Sequence, residues 1–328
     1  MKKILLTLIL AISIISLSIG HKTIDLEGGA IREDNVIWSK APYMVLKVNN
    51  YSIVPKKMEI AILNIHKGST IKFKDHSRLI NPEEKIILDL PPLSQNIYFI
   101  KSSKTDNLRF AIVGDSRQDS FEDDYPKVFR NIMENIDSKD LSFVIHLGDF
   151  VIHEENKYFD EFEEIIRKYD TPVYTVIGNH DGDVMGGSLY ERYYGDRFYS
   201  FAYMGTKFII LDNSIGLLNQ ENLSFLENEL KFDGKKLVFL HMPAFDPRPS
   251  GIHSMLGGKE FMQIAEDNNV DIVFSGHVHI YHQVTQKSTK YIITGGGGSP
   301  IYASERIGGF YHYLIYDQGN IQLIKMEN

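Results

Sequence analysis

Pro172-Val173-Tyr174-Thr175-Val176-Ile177-Gly178-Asn179-His180-Asp181 is the stretch that decides the fold. A short apolar run rich in β-branched residues reads as a buried strand. It ends in one glycine and three polar side chains in a row. Outward from it the same grammar recurs. Leu108 to Val113, Leu141 to His146, Lys207 to Leu211, Lys236 to Leu240 and Val270 to Phe274 also read as buried strands. Between them, Tyr125 to Ile136, Tyr158 to Tyr169, Glu221 to Leu230 and Lys259 to Asn268 carry helical spacing of apolar residues. Phe159, Phe162, Ile165 and Ile166 form one such face, at i, i+3, i+6 and i+7. Strand–helix alternation predicts a layered α/β core. The chain then returns to strands over Tyr291 to Thr294, Gly309 to Tyr316 and Ile321 to Lys325, with Gly319-Asn320 as a tight hairpin turn.

In open α/β sheets, sites form beyond the carboxyl ends of strands. Five strand ends here carry polar groups of metal-ligating type. They are Gly114-Asp115-Ser116-Arg117, Gly148-Asp149-Phe150, Gly178-Asn179-His180-Asp181, His241 before Met242-Pro243, and Gly276-His277-Val278-His279. Each alone is weak, because Gly-Asp is also a common turn. Five in order, each at a strand end, point to one shared site.

Ahead of this core, Tyr43 to Val48, Met58 to Ile65, Thr70 to Phe73, Lys85 to Leu90 and Ile97 to Ile100 are short alternating runs. Turn residues separate them, which predicts a small β-sandwich over 21–104 and an α/β domain over 105–328. Lys101 to Asn107 reads as the linker. Lys2-Lys3, the apolar Ile4 to Ile19, and Ser18 and Gly20 read as a secretory signal peptide over 1–20, cut after Gly20. That predicts a secreted, periplasmic or cell-surface address, with no membrane span once the signal is removed.

The 328 residues include 43 Asp and Glu against 35 Lys and Arg, a net charge of −8. No basic nucleic-acid surface is expected from that balance. The sequence has no cysteine, so disulfides, thiolate zinc sites and cysteine nucleophiles are excluded together. Any metal must sit on His, Asp, Glu, Asn or backbone oxygen, a donor set that suits first-row divalent ions.

The ordered set resembles the calcineurin-like metallophosphoesterase superfamily, which includes purple acid phosphatases and bacterial phosphoesterases. The likeness covers about residues 108–325, and Gly178 to Asp181 and Gly276 to His279 are its most specific matches. It implies a four-layer α/β/β/α sandwich after the β-sandwich. It also implies two divalent metal ions (manganese, iron or zinc). Asp115, Asp149 and His279 would hold the first, and Asp149, Asn179, His241 and His277 the second, with Asp149 bridging. The implied reaction is hydrolysis of phosphate monoesters or diesters by a metal-bound hydroxide. His180 would donate a proton to the leaving group, and Asp181 would orient that ring.

The sequence departs from the family at Arg117, where many members carry a metal-binding His. A guanidinium stays protonated and binds no metal. Two readings of Arg117 stand side by side, a contact to the substrate phosphate and a surface or carboxylate-paired arginine, and water or Asp119 would complete the first metal. Ile152 stands where purple acid phosphatases carry a tyrosine ligand. His153 and His253 are loop histidines near the motifs, and Tyr281 and His282 read as packing residues. The alternative is a metal-binding protein of the same fold with one metal and little catalysis, acting in binding or scaffolding.

Overall fold

Both faces of a sheet with two-sided apolar strands must be covered, and the chain does this with four layers. The structure is a computed structural model that describes residues 23–104 and 107–327. The signal peptide and Gly20 lie outside the described residues, as do linker residues 105 and 106. One sheet of the α/β core orders its strands Val173–Thr175, Val144–His146, Arg109–Val113, His312–Asp317 and Asn320–Lys325. Its first three strands run parallel, and the last two form an antiparallel hairpin. The second sheet is ordered Tyr199–Tyr203, Thr206–Ile210, Lys235–Phe239, Ile272–Ser275, Thr289–Thr294 and Tyr281–Gln286.

Phe110, Phe143, Phe208, Phe239 and Phe274 fill the space between the sheets and are wholly buried. Phe208 and Phe239 lie parallel with ring centres 5.8 Å apart. Each such ring contributes roughly 1.5–3 kcal/mol through burial. The helices Lys127–Asp137 and Asn156–Ile166 cover the outer face of the first sheet. Gln220–Glu229 and Gly258–Asp267 cover the second. The order is therefore α/β/β/α, as the resemblance implied. Phe159, Phe162, Ile165 and Ile166 are all buried, as their spacing required.

The amino-terminal region is all β. A five-stranded antiparallel sheet holds Ile24–Glu27, Tyr43–Asn50, Ser94–Lys101, Ser69–Phe73 and His76–Ile80. A four-stranded sheet holds Gly29–Ile31, Val36–Ser39, Lys56–Leu63 and Lys85–Leu90. They pack through alternate residues such as Leu46, Val48, Ile62, Ile86 and Ile100. The region is fastened to the core by specific contacts. Asn64 mimics a strand residue: Nδ2 donates to Val173 O (2.7 Å) and Oδ1 accepts from Val173 N (2.8 Å). His66 Nε2 faces Ser142 O at 3.0 Å, and Trp38 packs edge-on against Tyr194.

Three features differ from the sequence reading. Lys101 belongs to a strand and not to the linker. The last hairpin turns at Gln318-Gly319, both with positive φ, one residue before the expected Gly319-Asn320. The helix Ser188–Tyr194 and strands such as Val36–Ser39 and Tyr281–Gln286 lacked a long enough period to be read.

Candidate metal centre

Every motif lies at the carboxyl end of a core strand, and the loops there converge. Asp115, Asp149, His277 and His279 all have positive φ, between 48° and 68°. Non-glycine residues enter that region at a cost and cluster at functional sites. The glycines beside them allow the close approach. A Cβ on Gly178 would clash with the backbone N and Oδ1 of Asp149, and one on Gly276 would stand 2.6 Å from Asp115 Oδ2.

Asp149, His241 and His277 bring one ligand atom each to within 4.8 Å of one another. His241 Nδ1 lies 2.8 Å from Leu147 O, which requires an N–H there and leaves Nε2 as the lone-pair nitrogen of a neutral ring. That Nε2 faces Asn179 Oδ1 (3.1 Å), His277 Nδ1 (3.2 Å) and Asp149 Oδ1 (3.3 Å). The acceptors Asn179 Oδ1 and Asp149 Oδ1 and two imidazole nitrogens thus meet at one point, a donor set that fits a cation. Burial pushes the His241 imidazole down, but Asp149 and Asp115 outweigh it and raise the group to about 9. Burial and the neighbouring His241 charge push His277 down to about 4.

The second grouping is Asp115 with His279. Their atoms Oδ1 and Nε2 are 3.4 Å apart, and His279 Nδ1 faces Pro300 O at 2.7 Å. Backbone carbonyls behind both His241 and His279 fix tautomer and ring direction, as they do at metal sites. Burial pushes the Asp115 carboxyl up, yet the His279 and His241 charges hold it below its ordinary value. Asp149 is likewise depressed: burial opposes ionisation and His241 prevails. Asp149 Oδ1 faces His241, while its Oδ2 faces Arg117 and His180.

His180 Nε2 stands 4.0 Å from Asp149 Oδ2. Its Nδ1 faces Ile152 O at 2.9 Å. Asp181 does not orient this ring, contrary to the sequence expectation. Its carboxylate accepts four backbone N–H groups, from Gly178 (2.7 Å), Asp149 (2.8 Å), Phe150 and Val151 (both 3.1 Å). Asp181 therefore stitches the Asp149 loop to the Asn179 loop. Burial and the Asp149 charge push its carboxyl up to about 8, against the pull of the Gly178 and Val151 amides. The orienting role falls to the Ile152 carbonyl, which no side-chain motif announces.

Arg117 is 12% exposed in its side chain, with Nε 3.9 Å from Asp149 Oδ2. Asp119 is exposed and accepts from Tyr302 Oη at 3.4 Å. Tyr302 in turn stacks on His279. The His253 ring lies 5.7 Å from that of His277, while His153 is 2.7 Å from Asp183 Oδ2. Tyr281 packs against Phe310 and His312.

Sequence reasoning missed the supports. Asn213 Oδ1 accepts from the backbone N–H of His241 and of Met242, both at 3.1 Å. A buried chain runs from His146 Nε2 to Ser116 Oγ (2.9 Å), to Tyr125 Oη (2.6 Å), to Phe150 O (2.8 Å). It joins the Asp115 loop to the Asp149 loop. The available signal was a polar residue, His146, inside an apolar strand.

An α/β/β/α sandwich with such a His, Asp and Asn cluster at its strand ends defines a class of metal-dependent phosphoester hydrolases. Residues 108–281 match the family model of the calcineurin-like phosphoesterases, and the chain belongs to that family. A Fibrobacter succinogenes protein named "Probable cyclic nucleotide phosphodiesterase" is 24% identical over 198 residues, covering 55% of this chain and 73% of that one. An Arcobacter nitrofigilis protein named "Probable glycerophosphodiester phosphodiesterase" is 31% identical over 159 residues, covering 42% of this chain and 56% of its own. Among solved structures, the purple acid phosphatase of yellow lupin seeds shares the fold. It has a TM-score of 0.59 at 14% identity and covers 92% of this chain and 72% of that one.

Proposed function

We propose that this chain is an exported phosphoesterase whose site takes two divalent ions. Asp115, Asp149 and His279 would hold one, and Asp149, Asn179, His241 and His277 the other. The convergence of Asn179 Oδ1, His277 Nδ1 and Asp149 Oδ1 on His241 Nε2 carries the reading. Two such ions supply a nucleophile from water at neutral pH and a clamp for phosphate oxygens. This chain's own residues do the rest. His180 Nε2 lies 4.0 Å from Asp149 Oδ2 and would give the leaving oxygen its proton from the imidazolium form, since Nδ1 keeps its own N–H for Ile152 O. Ile152 O keeps that ring turned inward, and Arg117 faces the phosphoryl group. Export rests on the pattern of residues 2–20. No helix among the described residues is long and apolar enough to cross a membrane.

The test is purified protein reconstituted with manganese, iron or zinc and assayed on p-nitrophenyl phosphate and bis-p-nitrophenyl phosphate. Metal-dependent release from either supports the reading. Bound metal with no release from any ester would overturn it. That result would favour the second reading, a metal-binding protein with one ion, which the position of Arg117 beside Asp149 motivates.

A further inference from the structure

The ester class stays open in the phosphoesterase reading, and the surroundings of Arg117 bear on it. The Arg117 backbone is pinned to two loops: its N–H donates to Asp149 O (3.1 Å) and its carbonyl accepts from Ser299 Oγ (3.1 Å). Nη1 donates to Gln118 O at 2.8 Å. Nε is buried and has no hydrogen-bond partner among the described residues. It points toward the Asp149 oxygen that His180 also approaches, at 3.9 and 4.0 Å respectively. Tyr302 lies near enough for the Arg117 charge to act on its hydroxyl, and its ring stacks on His279. Arg117 thus presents an unsatisfied donor on the side of Asp149 that His180 also approaches. A buried donor without a partner is costly and implies an acceptor supplied from elsewhere.

A phosphate monoester has three unesterified oxygens and up to two negative charges. A diester has two such oxygens and one charge, and its fourth position carries a substituent that needs room and offers little to a donor. A planar guanidinium matches an anionic oxygen edge. Resting on the phosphoesterase reading, we propose that Arg117 binds the third unesterified oxygen of a phosphate monoester dianion, which makes this enzyme a phosphomonoesterase. Water adds to phosphorus, the bond from phosphorus to the leaving oxygen breaks, and His180 gives that oxygen its proton. A proton from the attacking water restores His180. One monoester dianion and one water become one alcohol and one hydrogen phosphate dianion.

The experiment compares wild type, Arg117→Gln and Arg117→Lys on p-nitrophenyl phosphate and bis-p-nitrophenyl phosphate. Metal content and inorganic phosphate binding are measured by elemental analysis and calorimetry. Wild type is expected to favour the monoester at least ten-fold in kcat/KM. Arg117→Gln is expected to cut that ratio at least ten-fold and weaken phosphate binding, with metal content unchanged. Arg117→Lys should restore part of the ratio, since it keeps charge but not the fork. A wild-type preference for the diester, equal losses on both esters, or metal lost from Arg117→Gln would overturn the proposal. If wild type hydrolyses neither ester, the phosphoesterase reading fails. Unchanged phosphate binding in Arg117→Gln would then sink the anion site as well, and weakened binding would keep it.

Discussion

Asp149 is the bridging residue of the proposed centre, and its two oxygens face different neighbours: His241 on one side, Arg117 and His180 on the other. Asparagine keeps an oxygen for the His180 backbone N–H, which Asp149 Oδ1 now accepts at 3.0 Å, but it removes the charge. Asp149→Asn is therefore expected to lower kcat/KM more than ~100-fold, beyond the loss usual for outer partners of a metal site. Circular dichroism should be unchanged, and elemental analysis should show metal lost. A folded variant with wild-type turnover would remove Asp149 from the centre. His180 makes a different prediction. As the proposed proton donor, it matters only where the leaving group needs a proton. His180→Ala should cost about 10²–10⁴-fold on an alkyl phosphate, the usual span of general acid catalysis. It should cost much less on p-nitrophenyl phosphate, whose leaving group departs readily as an anion. Equal losses on both would mean that His180 only binds.

At the scale of elements, the site exists because strand ends and loops meet without side-chain volume between them. Gly178 shows this most sharply. Its absent Cβ leaves room for the Asp149 backbone and carboxylate, while its N–H donates to Asp181. Gly178→Ala must push the Asn179 loop off the Asp149 loop, so metal affinity and melting temperature should both fall. Retained metal binding in that variant would show that the loops are not held as tightly as they pack. The same geometry explains what the sequence disclosed. Strands and helices with long apolar periods, such as 156–166, were legible because their burial pattern repeats. The candidate ligands were legible because His, Asp and Asn at strand ends have few other uses in such numbers. Asp181 misled because the resemblance implied contact with the His180 ring, whereas four amides from two loops claim its oxygens. Ile152 O and Pro300 O orient two histidines, but a carbonyl belongs to every residue and carries no signal. Asn64 and Asn213 were hidden likewise, since their partners are backbone groups far away in the chain.

Across the whole molecule, the amino-terminal sandwich and the α/β core meet at a buried lysine. Lys40, just past the strand Val36–Ser39, donates to Asp196 O at 2.6 Å and lies 3.8 Å over the Tyr199 ring. Burial pushes its ammonium down to about 7, with the Asp196 charge as counterweight. Below pH 7 the lysine is charged in both folded and unfolded chains, so the full cost of burying that charge is present and adds no slope. Above pH 7 the folded chain releases the proton, while the unfolded chain keeps it until near the ordinary lysine value. The unfolded state then binds more protons, and stability rises with pH by about 1.4 kcal/mol per unit through this group. Arg32 with Glu163, and Asn64 with Val173, join the same two bodies, so the sandwich and the core are expected to unfold together and report the effect in one transition. Lys40→Met removes the titrating group while keeping much of its length. The variant should compare best with wild type at pH 6, lose ground to it steadily by pH 9, and show a flatter profile between. Urea denaturation at pH 6, 7, 8 and 9 measures both curves. Parallel curves would mean that Lys40 keeps its proton in the folded protein, held there by Asp196 and the face of Tyr199.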